Sequence, residues 1–438
     1  MSFTFAQIFF AALIFFVAVH TFTCLAELIH LKRNIDSVPE EFRSVLSPAL
    51  HKKNIQYDMA RTRLNTIEAW VTSGVILALT AGGIINDISD FLLDSIGDGF
   101  AFHWMLPAIV AFILVVSDLP FYWYKSFRLS EAYGYQRQSR FCWFKNYFLN
   151  TVVGFIAVLP IFWVLLFLWR HTGTAWWIFG WLIFGVYAVF SLNLSKRLSY
   201  WLFKPKSALA ISHETEQSVK ALCQKANIQV EQMIVCKVDD NAHLPPAFAF
   251  GTQEKLHLFI RHDAYQSCTQ AQLNYLISHA VARNRSHMYL QSWVVTSLIG
   301  LGIFLFLKWL APQSWFMDEL GFRVYGPGPY YGSLTSFALV ALPVFIFPFK
   351  VLLDAFLRHL VFKSDRFAID LTDSQAMQEA LLKLLPVPMR HSVCTLGIFD
   401  LLFSHEPSVL LRMRKARAFE QERKQNPLKQ TTQAQKDS

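Results

Sequence analysis

The nine residues Tyr275-Leu276-Ile277-Ser278-His279-Ala280-Val281-Ala282-Arg283 come nearest in this chain to a metal-hydrolase pattern. In a His-Glu-x-x-His helix, two imidazoles at i and i+4 share one face and hold zinc, while the glutamate takes a proton from the zinc-bound water. By that spacing His279 stands at the first histidine position, Ala280 at the glutamate and Arg283 at the second histidine. A methyl group accepts no proton, and a guanidinium has no lone pair for a metal. One of the three groups needed on this helix is therefore left.

A lone helix histidine is more often a hydrogen-bonded side chain than a ligand. His257, His262, His279 and His287 could in principle assemble another metal site, but no spacing among them recommends it. His213-Glu214 is followed by Gln217, so Ser212 reads as a helix cap instead. The cysteines Cys24, Cys142, Cys223, Cys236, Cys268 and Cys394 are scattered without short paired spacings, which fits free thiols and neither a zinc nor a disulfide framework. The formal charge is +9, but no basic stripe is interleaved with aromatics, so nucleic acid is not expected as a partner.

The elements that must position these residues are mostly membrane helices. The chain is 54% hydrophobic and 16% aromatic over 438 residues, with mean hydropathy +0.32. That is too apolar for a soluble protein of this length. Seven stretches reach the roughly 20 residues that cross a bilayer: about 5–26, 69–85, 99–117, 147–169, 174–195, 288–307 and 330–349. The first lacks a basic leader and runs into Lys32-Arg33, so it reads as a span and not a signal peptide. Basic residues alternate between loops. Lys32, Arg33, Arg43, Lys52, Lys53, Arg61 and Arg63 follow the first span, the Asp87–Asp94 loop has none, and Lys125, Arg128, Arg137, Arg140 and Lys145 follow the third. The positive-inside rule then predicts an outside N-terminus, with the C-terminus and residues 196–287 in the cytoplasm. Anionic headgroups of the lipid bilayer complement those inner loops.

The fold expected is mainly α, a polytopic membrane protein with about seven transmembrane helices and an α+β cytoplasmic segment. Within that segment a helix is predicted over 214–227, strands over 232–238 and 255–260, and a helix over 270–288 that runs into the sixth span. Leu244-Pro245-Pro246 predicts a turn or sheet edge. Lys350 and Asp354, at i,i+4, predict a local ion pair. Past Glu420 the tail is polar and without apolar periodicity.

Read in order, Tyr57, Arg61 and Arg63, then Asp118-Leu119-Pro120-Phe121, Tyr124, Phe127, Glu131 and Tyr133-Gly134-Tyr135 resemble motifs of integral-membrane zinc metalloproteases of the CAAX prenyl protease type. So do Leu202-Phe203-Lys204-Pro205, Arg358, Asp365, Phe367 and Ala368, and Ser404-His405-Glu406-Pro407 with Arg412. The resemblance implies an N-terminal membrane domain over 1–198 with five spans, a peptidase-like domain over 199–415 with two more, and a disordered tail over 416–438. It also implies a helix-walled internal chamber. Carried over residue by residue, it puts the zinc histidines at His279 and Arg283 and the general base at Ala280. The third ligand, a glutamate, falls at Val361, four residues before the retained Asp365, and an asparagine of the substrate-holding edge falls at Pro246. No catalytic position is intact, and neither zinc nor another cofactor is expected.

Three functions follow as expectations. The first is a pseudoenzyme that keeps the scaffold to bind a prenylated or hydrophobic peptide, to chaperone, or to regulate an active homologous protease. The second is a peptidase that uses a non-family site. The third is a membrane conduit or transporter.

Overall fold

A computed structural model of the chain describes residues 4–135, 139–188, 211–236, 245–251, 255–285, 288–313, 315–322, 331–384, 393–404 and 406–425. Helix α1 (Phe5–Arg33) opens with a capping box in which Thr4 and Gln7 satisfy each other's backbone amides. Helix α2 (Pro48–Leu79) is capped by Ser47 and has proline in its first turn, where no amide is needed. It bends by 48° into α3 (Ile84–Ile96). Gly83, at φ +77°, makes the break. Then come α4 (Phe100–Tyr124), which continues through a π turn to Ala132, α5 (Arg140–Thr172) and the shorter apolar α6 (Gly173–Ala188).

Among the described residues, α1, the α4 run to Ala132, α9 (Met288–Leu310, from Leu290) and α10 (Tyr331–Leu371) are long and apolar enough to cross a membrane, and α2 with α3 adds a bent pair. The expected span over 147–169 lies inside α5, and the last part of the one over 174–195 lies outside the described residues. Two boundaries differ from expectation. α2 begins at Pro48 and not near 69, because its polar first half keeps helix-compatible spacing and packs through Ile55, Tyr57 and Thr62. α10 does not stop near 349 but continues to Leu371 as one rod. Hydropathy finds where a helix leaves the apolar layer, not where its hydrogen-bond ladder ends.

The motif residues after α4 clasp it to α2. Tyr57, Tyr133 and Tyr135 meet edge to face, with ring centroids 5.5 and 5.1 Å from Tyr57. The Tyr135 hydroxyl donates to Asn54 Oδ1, and Lys125 pairs with Glu68. Lys350 and Asp354 form the expected ion pair at 2.7 Å.

The part that carries the sheet starts with α7 (His213–Lys225), capped by Ser212, whose side chain accepts from the Thr215 amide. Three strands follow, β1 (Val230–Cys236), β2 (Ala247–Gly251) and β3 (Leu256–Arg261), in the order β1-β3-β2. β1 runs parallel to β3, and β2 runs antiparallel, from Ala247 opposite Ile260 to Gly251 opposite Leu256. β2 is not among the expected strands. Its alternation puts Ala247 and Ala249 into the core, while Phe248 stacks on Phe259 at 4.8 Å on the other face. The two prolines before it mask that short pattern. They also explain its place: β2 is an edge strand that starts directly after Pro246, whose carbonyl accepts from the Arg261 amide at 2.9 Å. Leu244 and residues 237–238 lie outside the described residues.

Helix α8 (Gln270–Arg285) lies on this sheet and on α10, and α11 (Ser374–Lys383) closes the same core. Short α12 (Gly397–Phe403) and α13 (Val409–Gln425) complete the chain. The polar tail expected from 416 is therefore helical as far as Gln425. Ala416 is buried in the core, Arg417 bonds Gln378 and Glu41, and Glu420 accepts from Ser374. Long-range pairing replaces the apolar periodicity that the segment lacks.

Candidate functional site

α8 and the C-terminal part of α10 face each other and bring His279 to Asp365, with Nε2 and Oδ1 3.3 Å apart. Tyr275 precedes His279 by one helical turn on the same face, and its hydroxyl donates to Asp365 Oδ1 at 2.9 Å. Arg412, from α13, closes the cluster. Its Nε donates to Asp365 Oδ2 at 2.9 Å and its NH2 to Asp365 Oδ1 at 2.7 Å. The same NH2 lies 3.1 Å from the Tyr275 hydroxyl and 3.5 Å from His279 Nε2. Three helices distant in sequence thus meet at one buried carboxylate in a two-pronged guanidinium pair.

The imidazole is neutral in spite of its acidic neighbour. Burial pushes the His279 pKa down to about 3; the Asp365 carboxylate opposes this, while the Arg412 and Arg283 cations add to it. The contact with Asp365 is consequently not an ion pair. Nε2 faces both Asp365 Oδ1, at 3.3 Å, and Arg412 NH2, at 3.5 Å: with its proton on Nε2 the ring donates to the carboxylate, and with it on Nδ1 it accepts from the guanidinium. Arg412 itself is held firmly protonated by Tyr275 and Asp365 against the cost of its burial, and burial pushes the Tyr275 phenol upward.

The other predicted positions surround this cluster with no donor for a metal. Ala280 is 3% exposed within the soluble core. Val361, one turn before Asp365 on α10, is 4% exposed and packs with Met288 and Leu360. Arg283 carries a fixed cation whose NH1 lies 3.6 Å from Glu406 Oε1. Its Nε is enclosed with no hydrogen-bond partner among the described residues. His257 sits instead across the sheet beside Glu231, at 3.6 Å. His287 lies outside the described residues, and among those residues no three His, Cys, Asp or Glu side chains group as metal ligands. A zinc ion does not fit these residues. The Nε2 of His279 faces a guanidinium at 3.5 Å, the neighbouring positions are hydrocarbon, and a second cation stands at the ligand position.

Arg358, also on α10, is a scaffold residue. It donates to the Ser404 carbonyl from Nε at 3.2 Å and from NH2 at 2.9 Å, and it pairs with Asp400 at 3.4 Å. Asp400 also accepts from the Ser408 amide, so one buried arginine ties α12 and the start of α13 to α10. The resemblance to known motifs marks Arg358 and Arg412, but not that Arg412 reaches His279 or that Tyr275 joins it. For Tyr275 the only signal was its i,i+4 spacing to His279. For Asp400 there was none.

Comparison with known proteins bears on the fold. Residues 27–199 match the family model described as the CAAX prenyl protease N-terminal region with five membrane helices. A CAAX prenyl protease 1 homolog from Dictyostelium discoideum is 20% identical over 358 residues, which cover 78% of this chain and 81% of that protein. The crystal structure of Ste24p from S. mikatae superposes with a TM-score of 0.76 at 12% identity, across 94% of this chain and 99% of that one. Residues 27–199 of this integral membrane chain are thus similar to the N-terminal membrane region of CAAX prenyl proteases, and the chain shares the fold of Ste24p over nearly its whole length.

Proposed function

We propose that this protein is a pseudoenzyme: it keeps the fold of a membrane zinc metalloprotease to bind a prenylated or hydrophobic peptide and does not cleave it. The observation that carries the reading is the site itself, where Ala280, Arg283 and Val361 surround a neutral His279 whose Nε2 faces Arg412. Hydrolysis by a zinc protease needs three ligands, an open water position and a base, and this chain supplies one imidazole. Purified protein in nanodiscs is expected to bind a fluorescent S-farnesylcysteine peptide and to leave it intact through many hours. Steady metal-dependent cleavage that survives His279→Ala would point to a different active site and sink the reading.

The same reading divides the chain into a membrane domain over 1–198 and a peptidase-like domain beyond it, with the latter and the C-terminus in the cytoplasm. The support is the alternation of basic loops. A reporter active only outside the cytoplasm, fused near Lys255, should stay silent; a strong signal would reverse the orientation.

A further inference from the structure

We propose that Arg283 is a carboxylate anchor, and that the ligand it takes is the free C-terminus of a peptide lying beside strand β2. This rests on the binding reading above and adds the chemistry of recognition. The charges around the site do not cancel. Arg412 is matched by Asp365 at 2.7 and 2.9 Å, and His279 is neutral. Ala280 and Val361 contribute no charge. Arg283 is left with Glu406, whose side chain is 69% exposed and 3.6 Å away, a separation at which a solvated pair is worth little. Its Nε is buried and has no partner among the described residues, so the pair with Glu406 does not satisfy the guanidinium. Its own side chain is 26% exposed, so a ligand can reach the guanidinium.

The setting selects the kind of carboxylate. The next residue, Asn284, donates to the Gly251 carbonyl at 3.0 Å and so fixes the last turn of α8 to the end of β2. The backbone of Arg283 therefore lies next to the end of an edge strand whose outer side pairs with no other strand among the described residues. An extended peptide can hydrogen-bond along such an edge, and its terminal carboxylate fits a planar guanidinium through two parallel bonds. A lysine would offer the charge without that fork.

The test uses the full-length protein in nanodiscs and an N-dansylated peptide ending in S-farnesylcysteine, made as the free acid and as the C-terminal amide. A charge-assisted hydrogen bond predicts that the acid binds about tenfold or more tightly than the amide. Arg283→Gln should erase that preference by weakening the acid far more than the amide, and Arg283→Lys should keep part of it. If acid and amide bind the wild type equally, the anchor is wrong while the binding reading stands. If neither binds, both fall. Palmitate that binds with the acid's affinity and the same dependence on Arg283 would overturn the peptide as the source of the carboxylate. The contrast between acid and amide on the wild type remains decisive should the Gln variant fail to fold.

Discussion

Arg412→Met is expected to destabilise the protein by about 3–5 kcal/mol, because it strands Asp365 as a buried charge with only Tyr275 to donate to it. Methionine keeps much of the arginine stem's packing, so the loss reports charge and not volume. Asp365 is 2% exposed, and water cannot take over the role of the guanidinium. Adding Asp365→Asn should recover most of the stability, since a neutral amide accepts from Tyr275 without a buried charge. The pH dependence should change as well. In the parent, His279 has a folded pKa of about 3 against 6.5 for the free group. The unfolded chain therefore binds more protons between those values, and this residue's contribution to stability is lost as pH falls below 6.5. With Arg412 gone, Asp365 lifts the imidazole pKa, and that acid loss should flatten or reverse. Thermal unfolding of the parent, single and double variants between pH 5 and 8 checks both effects. A single variant that melts within a degree of the parent would mean that the cluster is hydrated.

The triple variant Ala280→Glu, Arg283→His and Val361→Glu is expected to take up close to one equivalent of zinc, where the parent should hold well under one. A cation fixed about 4 Å from a divalent metal opposes it by roughly 8 kcal/mol at an effective dielectric near 20, as an upper bound. The triple change removes the cation that matters, since Arg412 is already neutralised by Asp365. His279 and a new histidine at 283 are set at i,i+4 by the helix. A glutamate at 361 lies one turn from Asp365, which already touches His279. Val361→Glu alone should lower stability, because it puts an unpaired carboxylate beside Met288 and Leu360. Zinc should restore what that change costs. Hydrolysis should return less readily than binding, because Arg412 lies against Nε2 and the supporting groups tune an occupied site as much as its ligands do. Elemental analysis after gel filtration reads the outcome. A folded triple variant without zinc would show that Val361 does not face the 279/283 pair.

Much of the fold was legible from sequence because it depends on local patterns. Apolar runs mark the spans, Ser212 marks the start of α7, and the 3.6-residue period marks α8. The pair Lys350–Asp354 follows from spacing alone. The residue types at the carried-over positions are read from the sequence directly: the side chains of Ala280, Arg283 and Val361 hold no lone pair for a metal in any conformation.

Only the tertiary structure decided what these residues became. Strand β2 forms because Ala247 and Ala249 find a core and β3 supplies the ladder, and neither condition can be read from five residues behind two prolines. The helix from Val409 to Gln425 extends into a polar sequence because Glu41, Ser374 and Gln378 wait for its side chains. The electrostatics of the site depend on distance, and distance is set by packing. Asp365 and Arg412 lie 47 residues apart in sequence, and Tyr275 and Arg412 137. Their meeting places a neutral His279 between a carboxylate and a guanidinium, and it leaves Arg283 without a buried charged partner among the described residues.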